Sequence, residues 1–393
     1  MRDTDVEVRG LSLKGKHVLL GVTGGIAAVD TVRLARELRR HGAKITVIMT
    51  PSSQEIITPL AVRWASQGDV ITDWDGDLSA LSEYDAVLVT PATRNIMASF
   101  VHGLMNGPLL MALSAANGRN APIMMVPSMH LDLALDSVTT DVVNECRNMG
   151  VKILWGDEIE GKKKNPNHEE IVAHLCNHVN DNSIQVVVTL GATRSAIDDI
   201  RHIQNTSTGA TGYSIADDLF RYGMDVTCVV GVTNVSAPSW LPLIIECPEP
   251  DQMLKELKAL ANDKIEVWIH SAAVLDYVVP EQVEGKIASL QGDLQIKLSE
   301  STKHISELKD LCKGSIRIGF KLESCIKQKD LVHRAFAQIK KSGMTATIAN
   351  RLEDLGKTDK PRGWLVDSLG SHYVLETEIN MLDAIRSVID NNR

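Results

Sequence analysis

Between Gly191 and Gly212 the chain reads GATRSAIDDIRHIQNTSTGATG, a glycine-, serine- and threonine-rich stretch. It follows an apolar run, Gln185–Thr189, and precedes a helical pattern through Ile215, Leu219 and Phe220. A strand, a hydroxyl-rich turn and a helix, in that order, are how α/β proteins offer backbone N–H groups to phosphate. This turn is long and carries Asp198, Arg201 and Asn205, so it has side chains for more than phosphate. A second glycine turn, Gly21–Gly25, follows the first apolar run of the chain, His17–Leu20. Two such turns, each opening its own α/β unit, predict two nucleotide-handling domains in tandem.

Each half alternates strand and helix. In the first, His17–Leu20, Ile45–Met49, Ala86–Thr90 and Ile123–Val126 are continuous apolar runs, the pattern of parallel strands covered on both faces. Ile26, Val29, Val32, Leu34, Ala35 and Leu38 recur at helical spacing up to Gly42 and predict a helix beginning at the glycine turn. In the second half, a helix stopped at Gly223 leads to the strand Val226–Val230, with later strands predicted at 266–270, 316–320 and 347–349. LARELRRHGAKITVIM and IADDLFRYGMDVTCVV share one plan: helix, Arg-x-Gly stop, β-branched strand. The polar segment 158–170 has no hydrophobic periodicity and reads as a loop before a short helix through Ile171, Ala173 and Leu175. Asn180–Ser183 reads as a linker. These boundaries divide the chain into domains 1–181 and 182–393, with Met381–Ile389 as a closing amphipathic helix.

Composition narrows the function classes. A chain of 393 residues exceeds one ordinary core, and 44% hydrophobic residues supply material for two. A net charge of −9 argues against a nucleic-acid partner. The six cysteines form no CxxC pair and no metal spacing, which fits reduced intracellular thiols; Cys146 and Cys176 lie in helical segments and read as packed. No apolar run approaches the roughly 18–20 residues of a membrane span, and MRDTDVEVRG lacks a signal-peptide core. The expectation is a cytoplasmic protein with no membrane partner.

The first glycine turn, Thr23-Gly24-Gly25-Ile26-Ala27, lacks the full GxGxxG spacing. Three polar loops at predicted strand ends strengthen it: Ile57–Leu60, Pro91–Asn95 and Pro127–His130. Ligands of open parallel sheets bind at such carboxyl ends. GVTGGIAA, IITPL, PATRN and PSMH resemble the flavin-binding motifs of homo-oligomeric flavin-containing cysteine decarboxylases (HFCD). GATRSAIDDIRHIQNTSTG, SAAVLDY, EGKI, GFKLES and IAN resemble phosphopantothenate–cysteine ligase. From about Lys16 to beyond Asn350, the sequence is similar to the bifunctional decarboxylase–ligase family of coenzyme A biosynthesis, with archaeal-like features.

The resemblance implies that the second half joins 4′-phosphopantothenate to cysteine through an acyl-nucleotidyl intermediate, using CTP or ATP and Mg²⁺. Asn205 matches the residue that holds the activated acyl group, Lys286 the lysine of the triphosphate, and Asp276 the acidic residue at the nucleotide and metal. An amide suits Asn205 because it donates and accepts without adding charge. Gly191, Arg201, Ser207, Thr208, Gly209, Gly212, Ser271, Ala272, Phe320, Lys340 and Lys341 complete the implied nucleotide and substrate site. Read from the residues alone, Lys286 is equally a solvated lysine and Arg201 with Asp198 a loop ion pair. Thr206, Ala210, Ala288 and Ser289 stand where the family carries charge or lysine, so Arg194, Lys321, Lys340 or Lys341 become candidate replacements.

For the first half the resemblance implies FMN-dependent decarboxylation of the ligated product to 4′-phosphopantetheine. Gly24, Gly25, Ile26, Thr58, Pro91, Ala92, Thr93 and Met129 are the implied FMN residues. His130 is the candidate catalytic group, standing where the family has asparagine and where archaeal members have histidine. Asp77 falls at the place of the family's catalytic histidine; His102 and His168 are the other histidines weighed for that work. Glu160 with Lys162, Lys163 and Lys164 reads as a solvated loop or as a clamp over a phosphorylated substrate. The predicted fold is α/β: an N-terminal flavodoxin-like HFCD flavoprotein domain and a C-terminal Rossmann-like ligase domain, both with mainly parallel sheets. The family implies homo-oligomers, with trimer contacts in the first half, dimer contacts in the second, and a possible dodecamer. Alternatives are a ligase whose flavoprotein half is inactive or structural, and a non-catalytic regulatory or scaffold subunit. A nicotinamide dehydrogenase is disfavoured because neither turn has the complete GxGxxG.

Overall fold

The chain alternates buried strands with helices that cover them. The computed structural model describes residues 3–74, 78–261, 264–289 and 292–393. It divides into two compact units, Met1–Asp181 with Arg221–Gly223, and Asn182–Phe220 with Met224–Arg393.

In the first unit the strands are β1 (His17–Val22), β2 (Lys44–Met49), β3 (Val70–Ile71), β4 (Ala86–Ala92), β5 (Ile123–Pro127), β6 (Met129–His130), β7 (Lys152–Ile153), β8 (Glu158–Ile159) and β9 (Lys162–Lys163). The main sheet runs β3-β2-β1-β4-β5-β7, all pairs parallel. Counted within the sheet this is 3-2-1-4-5-6, a doubly wound order whose switch point lies between β1 and β4. Alternation along β1 sends Val18, Leu20 and Val22 into one core layer and Leu19 into the other, so an unbroken apolar run is what the strand needs.

The helix expected from Ile26 begins later. Ile26–Asp30 is a 3₁₀ turn, and the α-helix is Thr31–Arg40. Ile26 is 75% exposed, and Val29 is exposed too; the core-facing stripe is only Leu34, Ala35 and Leu38. Gly42, with φ +89°, stops this helix as Gly223, with φ +82°, follows the helix Ala210–Arg221 of the second unit.

The segment read as an unstructured loop folds as well. β8 and β9 form a two-residue hairpin through Glu160 (φ +54°) and Gly161 (φ +67°). Positive φ at both central residues is the type I′ geometry that matches strand twist. Its sequence signature is usually Asn-Gly or Asp-Gly, which Glu-Gly does not display. The helix after it runs His168–Asn180, longer than anticipated, and Asn167 caps it by accepting from Glu170 N at 2.8 Å.

In the second unit the strands are β10 (Gln185–Leu190), β11 (Arg194–Ala196), β12 (His202–Gln204), β13 (Asp225–Val230), β14 (Leu243–Glu246), β15 (Val267–His270), β16 (Tyr277–Val278), β17 (Ser299–Glu300), β18 (Ile316–Glu323), β19 (Ala346–Arg351), β20 (Gly363–Asp367) and β21 (His372–Leu375). The main sheet is β14-β13-β10-β15-β18-β19-β20-β21. Its first six strands repeat the 3-2-1-4-5-6 order, with the switch point between β10 and β15. Sequence patterning missed the antiparallel extension β19-β20-β21. The closing helix is Glu378–Asn391, opened by a Thr377–Asn380 capping box and burying Met381, Leu382, Ile385 and Ile389.

Candidate functional sites

Both units gather their polar turns at a switch point. In the second, Thr189 at the end of β10 is tied to the segment after β15: Ser271 N and Oγ donate to Thr189 O at 3.0 and 2.6 Å, and Ala272 N donates to Thr189 Oγ1 at 3.3 Å. Beyond these strands opens a cavity of about 460 Å³. Its walls include Gly191, Ser207, Thr208, Gly209, Gly212, Ser271, Ala272, Asp276 and Phe320, all anticipated from sequence. Residues 206–212 bring the start of the helix Ala210–Arg221 to the cavity, where the positive end of the helix dipole favours an anion. Gly212 permits this approach, because a Cβ there would fall 2.2 Å from Leu190 Cβ.

Asn205 follows the small hairpin β11–β12, and its Nδ2 donates to Ala273 O at 3.1 Å beside the cavity wall. The tip of that hairpin has a structural task. Asp198, buried, accepts from Ile200 N, Arg201 N, Arg201 Nη1 and Ile287 N at 2.5–3.0 Å. Burial raises the Asp198 carboxyl, but these donors outweigh it and hold the group well below the usual carboxylate range. Asp199 adds bonds to Gly285 N and Gln282 Nε2, both 3.1 Å. The segment carrying Lys286 is thus pinned to the hairpin tip.

Four of the residues singled out from the sequence lie outside the cavity wall. Arg201 is the partner of Asp198 and of Ile287 O rather than part of the cavity wall. Lys286 is exposed and also outside the wall. Lys340 and Lys341 end the helix Gln328–Ser342, which returns to the amino end of β19, opposite the cavity's end of the sheet. There Lys340 donates to Ser368 O at 2.9 Å and Lys309 donates to Lys341 O at 3.3 Å. Of the replacement cations considered, Lys321 lines the cavity and Arg194 does not.

Asp276 lies at the wall but is paired with Lys303 at 2.8 Å. Among the described residues no cluster of three metal-ligating side chains includes it; the one such group is Glu37, His168 and Glu169 of the first unit. Asp276 thus offers a single exposed carboxylate, engaged by Lys303, rather than a cluster of ligands. Sequence reasoning also missed His270, Lys303 and Arg362, which line the cavity from separate segments. Burial and the nearby Arg317 push His270 down to about 3, so it is neutral at ordinary pH.

In the first unit the turn after β1 meets the end of β4. Thr23 Oγ1 donates to Pro91 O at 2.6 Å and accepts from Thr93 N at 3.1 Å. A Cβ on Gly24 would meet Ser52 Oγ at 2.5 Å, and one on Gly25 would meet Pro91 at 3.1 Å. Thr58 caps the helix Pro59–Ser66 and is exposed, while Ala92 is buried beneath the turn. Two buried polar atoms of strand-end segments, Thr50 Oγ1 and Asn165 Oδ1, have no protein partner. Asn165 is held by donating to Thr90 Oγ1 at 2.9 Å. Bare backbone, exposed Ile26 and unused acceptors fit a flat, polar-edged cofactor.

His130 caps the short helix Leu131–Ala134 and lies 3.1 Å from Asp132 Oδ2. Its backbone, with that of Met129, pairs with Lys162 and Lys163, so the lysine run is a third strand against the PSMH loop rather than a free loop. Asp77 lies outside the described residues. His102 follows the helix Arg94–Val101, and His168 lies beside Glu37. Cys146 and Cys176 are buried as expected, and burial pushes Cys146 up to about 11.

Two doubly wound units with polar turns at each switch point define a tandem α/β protein of the ligand-binding kind. Its first half, residues 9–180, matches the Flavoprotein family, and residues 182–378 match the family described as DNA/pantothenate metabolism flavoprotein C-terminal domain. It is 33% identical over 358 residues to the Coenzyme A biosynthesis bifunctional protein CoaBC of Thermococcus kodakarensis, covering 88% of each chain. The protein of the same description from Methanocaldococcus jannaschii is 30% identical over 349 residues, 86% of this chain and 84% of that one. The DNA/pantothenate metabolism flavoprotein from Streptococcus pneumoniae superposes with a TM-score of 0.50 at 25% identity, over 54% of this chain and 100% of that one. The chain belongs to the family of bifunctional coenzyme A biosynthesis enzymes.

Proposed function

We propose that the second unit ligates 4′-phosphopantothenate to cysteine at the cost of CTP or ATP, and that the first decarboxylates the product. The observation that carries this reading is the cavity at the β10/β15 switch point, walled by residues 206–212 and flanked by Asn205. In it the helix N-terminus and the hydroxyls of Ser207 and Thr208 hold phosphate, and Phe320 and Ser271–Leu275 hold the nucleoside. Asn205, fixed through Ala273, steadies the activated acyl group while the amine attacks. Lys286, on its pinned segment, offsets the charge of the leaving phosphates. Mg²⁺ is carried mainly by the nucleotide's own phosphates, since Asp276 is engaged by Lys303.

In the first unit the Gly24–Ile26 turn, Thr58, Pro91–Thr93 and Met129 hold FMN. Bound flavin would supply the two-electron oxidation that lets the substrate lose carbon dioxide and would then return the same two electrons, with a proton, to give the saturated thiol. In the β6-β9-β8 ribbon Lys162 is the cross-strand partner of His130 and shares its face, where it meets an anionic end of the substrate. The assembly belongs to the proposal as well, trimeric through the first unit and dimeric through the second; exposed Leu60, Leu135, Tyr373 and Val374 support it.

A second reading, ligase only, rests on Asp77, an anion at neutral pH where the family uses histidine. Carbon dioxide release from phosphopantothenoylcysteine by the FMN-loaded protein separates the two. For the ligase, Asn205→Ala is expected to lower product formation at least tenfold while nucleotide binding persists. Ligation at the wild-type rate would remove Asn205 from its assigned role.

A further inference from the structure

The cavity of the second unit carries its positive charge unevenly. Three lysine or arginine side chains line it: Lys303, Lys321 and Arg362. Lys303 is paired with Asp276 at 2.8 Å and Lys321 with Glu323 at 3.0 Å, so neither pair brings a net charge. Arg362 has no carboxylate partner among the described residues. Its Nη2 donates to the Thr211 hydroxyl at 2.8 Å, and the acid whose field reaches it, Glu378, is exposed. Burial disfavours its charge, yet a guanidinium stays protonated. An anion in the cavity would relieve that cost.

The fold fixes this side chain at both ends. Arg362 directly precedes β20, and its carbonyl accepts from Asn350 Nδ2 of β19 at 2.6 Å. The next residue, Gly363, allows the close pairing, since a Cβ there would sit 2.6 Å from the same nitrogen. Thr211, the partner of the guanidinium, lies in the first turn of the helix Ala210–Arg221. A guanidinium has five N–H donors in a planar fork, so one bond to Thr211 leaves others for a ligand, in the arrangement suited to paired phosphate oxygens.

Building on the ligase reading, we propose that Arg362, with the hydroxyls of Ser207, Thr208 and Thr211, forms a phosphate subsite and selects phosphorylated substrates. Two substrates of that reaction carry phosphate, the acid and the nucleotide, and the test separates them. The full chain and its Arg362→Met and Arg362→Lys variants are titrated calorimetrically with 4′-phosphopantothenate and pantothenate, CTP and cytidine, ATP and adenosine. Arg362→Met is expected to weaken one phosphorylated ligand by about 10- to 100-fold, the worth of a charge-assisted hydrogen bond, and to leave its unphosphorylated partner unchanged. The pair that responds identifies the phosphate. Arg362→Lys keeps the charge but not the fork and is expected to lose several-fold in the same pair. If the methionine variant does not fold, the lysine variant decides. Unchanged affinity for every phosphorylated ligand, or equal losses with and without phosphate, overturns the subsite while a wild-type chain that still ligates keeps the ligase reading. A wild-type chain that binds none of the phosphorylated compounds overturns both.

Discussion

Asp198 forms the loop ion pair with Arg201 that the sequence allowed, and it does more. Its carboxylate gathers backbone donors from its own turn and from Ile287, so it organises the loop that carries Lys286 instead of meeting a ligand. The local partner Arg201 was legible in the sequence, but the distant one was not, because Ile287 lies 89 positions away. Arg362 left no sequence signal at all, since only the β19–β20 turn brings it to Thr211. Glu37 permits a pH prediction. Burial raises its carboxyl, but hydrogen bonds from His41 and Arg40 and the charge of Arg9 prevail and bring it down to about 2. A folded pKa below the unfolded value of 4.5 gives stability that is complete above that value and is lost as pH falls from there toward 2. The amount is about 3 kcal/mol. Glu37→Gln should lower the melting temperature at pH 7 and flatten its fall between pH 4.5 and 2. An unchanged slope in that window would show that Glu37 is not responsible.

Elements were more legible than contacts. The continuous runs at β1, β2, β4, β5, β10, β13 and β15 were found because strands buried on both faces have nothing polar to interrupt them. The hairpin β8–β9 escaped because two-residue strands carry no periodicity and Glu-Gly is an uncommon I′ pair. The first helix was placed too early because Ile26 and Val29 continue its apolar spacing while facing outward. At the second switch point, close packing of helix on strand is the critical feature. Gly212→Ala gains about 1 kcal/mol of helix propensity but forces its methyl against Leu190. Overpacking of this kind costs about 1–3 kcal/mol, so the variant should unfold at lower urea and bind nucleotide more weakly as the helix start shifts. A stabilised variant with normal binding would mean the overlap relaxes freely.

For the whole molecule, the repeated 3-2-1-4-5-6 order explains why two stretches of one chain, LARELRRHGAKITVIM and IADDLFRYGMDVTCVV, look alike. Each is the helix and second strand of its own doubly wound sheet. The two-unit plan was readable because both units open with a glycine turn after a buried strand. The antiparallel edge β20–β21, which supplies Arg362, was not readable because WLVD is too short to signal a strand by itself. Each unit has its own core, so residues 182–393 expressed alone should fold and retain pyrophosphate release dependent on 4′-phosphopantothenate and nucleotide; an insoluble or inactive fragment would contradict that independence. The most direct measurement is mass spectrometry of the products formed by the FMN-loaded full chain from 4′-phosphopantothenate, cysteine, Mg²⁺ and CTP or ATP. The account predicts phosphopantothenoylcysteine first, then its conversion to 4′-phosphopantetheine with loss of carbon dioxide. A reaction in which no cysteine adduct appears with either nucleotide would contradict it.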